Sequence, residues 1–147
     1  MDLRATTAGV TSTLEFCMSL SSRTNTVIDS WTNTPSLMYA LHNEISDLVV
    51  VLDNTRAATE AAVLDNGKKS AELLDGLGGH LAEAYRLLKA VEKLVADLLA
   101  ARDGRQRCRV LAKNGQAASF KDCLRDVRIR LDDCLLLHNV YGYLALS

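Results

Sequence analysis

Four cysteines and three histidines are the side chains with the widest chemical scope in this 147-residue chain. Cys17, Cys108, Cys123 and Cys134 form no C-x-x-C pair, and no histidine stands at ligand spacing from them. A zinc site is therefore not expected. A disulfide framework is not expected either, because a chain of this size builds its core without covalent staples. Reduced thiols set mostly in helix interfaces are the simpler reading. His138 falls on the inner face of an apolar stripe and reads as a hydrogen-bonded core or rim histidine. His80 falls at a helix start, where the dipole disfavours a cation, and His42 is expected at the surface. Asp132-Asp133 beside Cys134 has the donors for a metal, but a solvated helix face accounts for the pair. Gly76-Leu77-Gly78-Gly79 ahead of a helix has the look of a phosphate cradle. With no strand before it and no P-loop lysine after it, it reads as a hinge that breaks the chain. The serine-hydrolase elbow, the Walker loop, the dinucleotide fingerprint and the zincin motif are all missing from the sequence. The expectation is a protein that is not an enzyme, with no catalytic residue, cofactor or metal ligand assigned.

Charge is the second source of chemistry. Net charge is −1, so no general positive field draws nucleic acid, and none is expected as a partner. The distribution is uneven. Residues 1–43 carry only Asp2, Arg4, Glu15, Arg23 and Asp29 and are rich in Ser and Thr. A basic stretch then gathers Arg102, Arg105, Arg107, Arg109 and Lys113 against a single acid, Asp103. A solvated loop is the plain reading of such a run; a patch for an anionic lipid or a partner is the functional one.

The elements that must position these residues follow from periodicity. Apolar residues make up 48% of the chain and aromatic residues 5%, with Leu and Ala dominant and Pro35 the single proline. That mixture favours helix over sheet. The predicted fold is all-α: an antiparallel bundle of four long amphipathic helices, at about 6–31, 35–64, 80–102 and 119–145. A short extra helical turn is predicted between the second and third, at 68–74, and one domain covers 1–147. The first stripe runs through Val10, Leu14, Cys17, Ser21, Thr24, Ile28 and Trp31, with hydroxyls lowering its intrinsic helicity. Leu37, Leu41, Ile45, Leu48, Leu52, Thr55 and Thr59 form the second. Leu81, Ala84, Leu88, Val91, Val95 and Leu98 form the third, and Phe120, Leu124, Val127, Leu131, Cys134, His138 and Tyr141 the fourth. Thr34 is expected to cap the second helix, with Pro35 in its first turn. Ser119 with Asp122 is read as a capping-box-like start for the last. Lys89 and Glu92 are expected to pair three residues apart. Neither a secretory signal nor a membrane-length apolar run is legible, which predicts a cytoplasmic protein.

Three blocks carry a resemblance. Thr7-Ala8-Gly9-Val10-Thr11-Ser12-Thr13-Leu14 opens a long helix of small and aliphatic residues. Pro35-Ser36-Leu37 then leads to His42-Asn43-Glu44-Ile45-Ser46-Asp47-Leu48-Val49-Val50-Val51-Leu52, which matches an E-x-x-x-L-x-x-x-L second helix. A basic stretch precedes the charged amphipathic block Phe120-Lys121-Asp122-Cys123-Leu124-Arg125-Asp126-Val127-Arg128-Ile129-Arg130-Leu131. Over nearly its whole length the chain resembles the N-terminal domains of fungal STAND proteins, the NLR-like receptors. These include the HeLo-like cell-death domains and the type named after an azaphilone pigment cluster protein. It departs from them in lacking a tryptophan in the basic stretch and, with no nucleotide-binding or repeat region before Ser147, is expected to be either a stand-alone version or a fragment.

The resemblance implies a non-catalytic signalling or defence domain, of the kind that serves heterokaryon incompatibility and programmed cell death. In the HeLo-like branch, the N-terminal helix enters the plasma membrane once the bundle is released or clustered. Here Val10, Leu14, Phe16, Cys17 and Met18 would be that helix's membrane or partner residues. Arg102, Arg105, Arg107, Arg109 and Lys113 would dock anionic lipid, each adding about 1 kcal/mol near the surface. The alternative is a soluble interaction bundle: an adaptor, decoy or inhibitor whose partner is a STAND receptor or another copy of itself.

Overall fold

The computed structural model describes residues 3–64 and 76–146, and among them every regular element is helical. Helix α1 spans Leu3–Asp29, α2 Ser36–Leu64, α3 Leu77–Ala100, α4 Gly104–Ala112 and α5 Gln116–Leu146, with a single 3-10 turn at Lys113–Gly115. The expected short turn at 68–74 lies outside the described residues.

Helix α1 forms despite its Ser and Thr because their hydroxyls return to the helix itself. Thr7, Thr11 and Thr13 donate to the carbonyls of Leu3, Thr7 and Gly9 at 2.9, 3.0 and 2.8 Å. This back-bonding satisfies the hydroxyls without breaking the backbone ladder. The buried stripe holds Val10, Leu14, Cys17 and Thr24 as expected, and adds Thr6, Thr13, Leu20 and Val27. The turn after α1 contains Asn33 at φ 61°, a left-handed conformation that asparagine tolerates. Thr34 does not cap α2. Its hydroxyl lies within reach of the carbonyls of Ile28 and Trp31 instead, at 3.2 and 2.8 Å, and closes the end of α1.

Three further boundaries differ from expectation. Gly78 and Gly79 do not break the chain; they lie inside α3, which begins at Leu77. The basic stretch is no loop: most of it is helix α4. Its start is an Asp103 cap supported by Gln106. The Gln106 N–H donates to the Asp103 carboxylate and the Arg102 N–H donates to the Gln106 side chain, both at 2.8 Å. Ser119 is accordingly no helix start, because α5 follows directly from Gly115, whose φ of 63° suits glycine.

The core gathers residues from all five helices, including Leu20, Met38, Leu52, Leu88, Leu111 and Leu131. Helix α1 packs on α2 and α3, and α5 packs on the same two. Cys17 meets Ile45 while Thr24 meets His42, so α1 and α2 run in opposite directions. Phe16 meets Tyr85 and Arg23 meets Glu92, so α1 and α3 are neighbours running the same way. The expectation that adjacent long helices oppose one another throughout therefore fails at this pair. The physical reason is that amphipathic stripes specify burial but not which helix lies beside which.

Candidate functional site

The most elaborate polar arrangement lies where α4 crosses the ends of α1 and α3. Arg105 and Arg109 are one turn apart on the same side of α4, Arg102 precedes the helix and Lys113 follows it, and all four are exposed. Arg107 lies on the other side. Its Nε donates to the carbonyl of Leu98 at 3.1 Å, and its Nη1 donates to the carbonyl of Val27 at 3.3 Å and the hydroxyl of Ser30 at 3.0 Å. Its guanidinium carbon also sits 5.6 Å from the centre of the Trp31 ring. A cation on the terminal carbonyls of two helices is favoured by both helix dipoles. Arg107 is therefore a clamp, and the exposed patch consists of Arg102, Arg105, Arg109 and Lys113. Gly104 permits the close approach of α4, because a Cβ there would lie 3.1 Å from the Trp31 Nε1.

The five residues assigned to a membrane or partner helix divide. Val10, Leu14 and Cys17 are buried in the core. Phe16 is half-buried against Tyr85, with ring centres 5.7 Å apart, and the Lys89 ammonium lies 5.0 Å from the Phe16 centroid. The expected Lys89–Glu92 pair is present at 3.7 Å, and Glu92 also reaches Arg23 at 3.6 Å. Met18 alone of the five is open, at 53% exposure. It borders a shallow groove of about 400 Å³ between α1 and α2, with Ser21, Ser22, Asn25, His42 and Val49.

His42 is less exposed than expected. It is half-buried, with Nδ1 2.6 Å from the Thr24 hydroxyl. The Thr24 hydroxyl also lies 2.9 Å from the Ser21 carbonyl. With its single proton given there, the hydroxyl accepts from Nδ1–H of His42. Burial lowers the His42 pKa from its ordinary value, while Asp29 acts weakly in the opposite sense. Cys17 donates to the Ile45 carbonyl at 3.4 Å, and burial pushes its pKa up to about 12, so the thiol is unreactive. Cys108 is exposed, and Cys123 and Cys134 are half-buried. Among the described residues no three His, Cys, Asp or Glu gather as a metal would require, Asp132 and Asp133 included.

One charged centre escaped the reading of the sequence. Glu44, on the inner face of α2, is only 6% exposed. Its two oxygens accept from Nε of Arg125 at 3.0 Å and Nε of Arg128 at 3.3 Å, joining α2 to α5. Two signals were available. Glu44 falls between Leu41 and Leu48 at helical spacing, which places an acid on a buried stripe. Arg125 and Arg128 are three apart, on one face of the facing helix.

No protein-family model, curated protein or solved structure matches the chain.

Proposed function

We propose that this chain is a non-catalytic signalling or defence domain of the HeLo-like kind, a helical bundle that works by docking a protein partner. The partner would be a STAND-type receptor or a further copy of the chain. One observation carries this reading: Arg107 fixes α4 across the ends of α1 and α3, leaving Arg105 and Arg109 exposed on it, with exposed Arg102 and Lys113 flanking the helix. A rigid charged surface of this kind suits steering and orientation of a partner more than chemistry. The test is chemical crosslinking and co-purification from the native host. Wild type is compared with an Arg105→Glu/Arg109→Glu variant whose fold is verified by circular dichroism. A discrete partner lost in the charge-reversed variant supports the reading; recovery of no partner by either protein counts against it.

A second reading, membrane attack through the N-terminal helix, is favoured by the low charge of α1, which carries Arg4, Glu15, Arg23 and Asp29 over 27 residues. No helix among the described residues is long and apolar enough to cross a membrane. Val10, Leu14, Cys17 and Leu20 are also committed to the core, so insertion requires α1 to leave the bundle. Leu14→Arg would disrupt the fold as well as any insertion, so Met18→Arg on the open face is the cleaner probe. Leakage of anionic vesicles by the clustered protein, abolished by Met18→Arg, is the result expected of this reading. Absence of leakage would exclude it.

A further inference from the structure

We infer that Arg105 and Arg109 of α4, flanked by Arg102 and Lys113, bind an acidic helical segment of a protein partner. The inference rests on the docking reading above and names the chemistry of that partner. All four side chains are exposed, and none forms an ion pair among the described residues. Elsewhere cations are matched: Arg23 and Lys89 pair with Glu92, Arg56 with Asp53, and Arg86 with Glu83. The basic stretch supplies one acid, Asp103, whose carboxylate caps α4 by accepting from the Gln106 N–H at 2.8 Å. Asp29 and Asp97, near the ends of α1 and α3 that α4 crosses, pair with none of the four. Positive charge that nothing in the described chain answers is therefore concentrated at this end of the bundle, and an acidic partner supplies the complement.

Helix geometry and side-chain type select the form of that acid. Arg105 and Arg109 are one turn apart, which sets their Cβ atoms about 6 Å from one another. Carboxylates one turn apart on a partner helix repeat at the same spacing. Each guanidinium fork matches a planar carboxylate with two parallel bonds. Arg107 ties α4 to the carbonyls of Leu98 and Val27, so the surface stands in place before the partner arrives and less entropy is lost on binding. A bilayer suits the surface less well. Beside its arginines α4 exposes Gln106, Cys108 and Ala112, while Leu111 is buried and Val110 half-buried, so no large apolar side chain is free to anchor in lipid. Basic residues without a second anchor hold a membrane weakly. RNA meets a chain of net charge −1, which gives a polyanion no long-range attraction.

The test titrates the full chain into a rhodamine-labelled peptide of Glu-Ala-Ala-Ala repeats and reads fluorescence anisotropy. Phosphatidylserine vesicles and a single-stranded RNA oligonucleotide are the other probes. The expected result is that the peptide binds more tightly than either. A Glu-Gly-Gly-Gly repeat of equal charge, which does not hold the helical spacing, should bind more weakly. Exposed Cys108 lies between the two arginines in sequence, so bound peptide should slow its alkylation by iodoacetamide. Arg105→Gln and Arg109→Gln should each weaken binding about fivefold, the scale of one exposed ion pair. Arg130→Gln, at an exposed arginine of α5 with no ion pair among the described residues, should leave binding unchanged. Equal binding of the two peptides, an unaltered Cys108 rate, no loss with Arg105→Gln and Arg109→Gln, or tighter binding of vesicles or RNA would each overturn the site. A native partner lost in Arg105→Glu/Arg109→Glu but not displaced by the Glu-Ala-Ala-Ala peptide would overturn the acidic-helix assignment while leaving the docking reading intact. Peptide bound at the two arginines with no native partner recovered would uphold the site and count against the docking reading.

Discussion

Arg107 and Val27 lie 80 positions apart and are joined by a 3.3 Å hydrogen bond from the guanidinium to a carbonyl at the end of α1. The same side chain holds the Leu98 carbonyl of α3 and faces the Trp31 ring, so one cation ties three elements together. Arg107→Ala should lower stability by about 2 kcal/mol, as expected for charge-assisted hydrogen bonds to carbonyls at two helix C-termini. Arg105→Ala, two residues away on the exposed side, should change it by less than about 0.5 kcal/mol. Urea denaturation of the two variants checks the contrast, and equal effects would remove the clamp.

The Glu44 centre predicts non-additivity. Arg125→Ala should cost under about 1 kcal/mol, because Arg128 still answers the buried carboxylate. Removing both arginines strands that carboxylate and should cost about 3 kcal/mol or more. A double-mutant cycle measured by thermal and urea unfolding reports the excess. Simple additivity would show that Glu44 finds water instead.

His42 gives a pH signature. Its pKa is lowered in the folded chain, so the unfolded chain binds more protons as pH falls below the ordinary value of 6.5. The stability contribution is therefore present in full above pH 6.5, and declines below it until the native ring is itself protonated. Melting temperature compared at neutral and mildly acidic pH should fall more for wild type than for His42→Gln. Parallel curves would mean that the Thr24–His42 contact carries no pH dependence.

The thiols should react in an order set by burial. With its pKa raised to about 12 and no solvent exposure, Cys17 should resist iodoacetamide in the native protein. Exposed Cys108 should be alkylated first. Peptide mass mapping before and after denaturation measures this; early labelling at Cys17 would mean that α1 opens readily.

A core truncation separates the two faces of α1. Leu20→Ala, at a fully buried site, should cost about 2–5 kcal/mol. Met18→Ala, on the groove, should cost little. Denaturant midpoints decide, and comparable losses would contradict the orientation of the helix.

Much of the fold was legible in the chain. Every residue of the Leu81–Leu98 stripe is buried, because a helix in water hides its apolar face whatever it packs on. The Lys89–Glu92 pair is present because it is local. The basic cluster was legible as composition, but its helical form was not, since Asp103 and Gln106 went unread as a capping pair. Which helix lies beside which, the inward turn of Arg107 and the meeting of Glu44 with Arg125 and Arg128 were decided by tertiary structure alone. Periodicity within a segment records burial, which each helix satisfies by itself. Contacts more than 75 residues apart depend on how the segments are arranged in space, and no spacing within one segment encodes that.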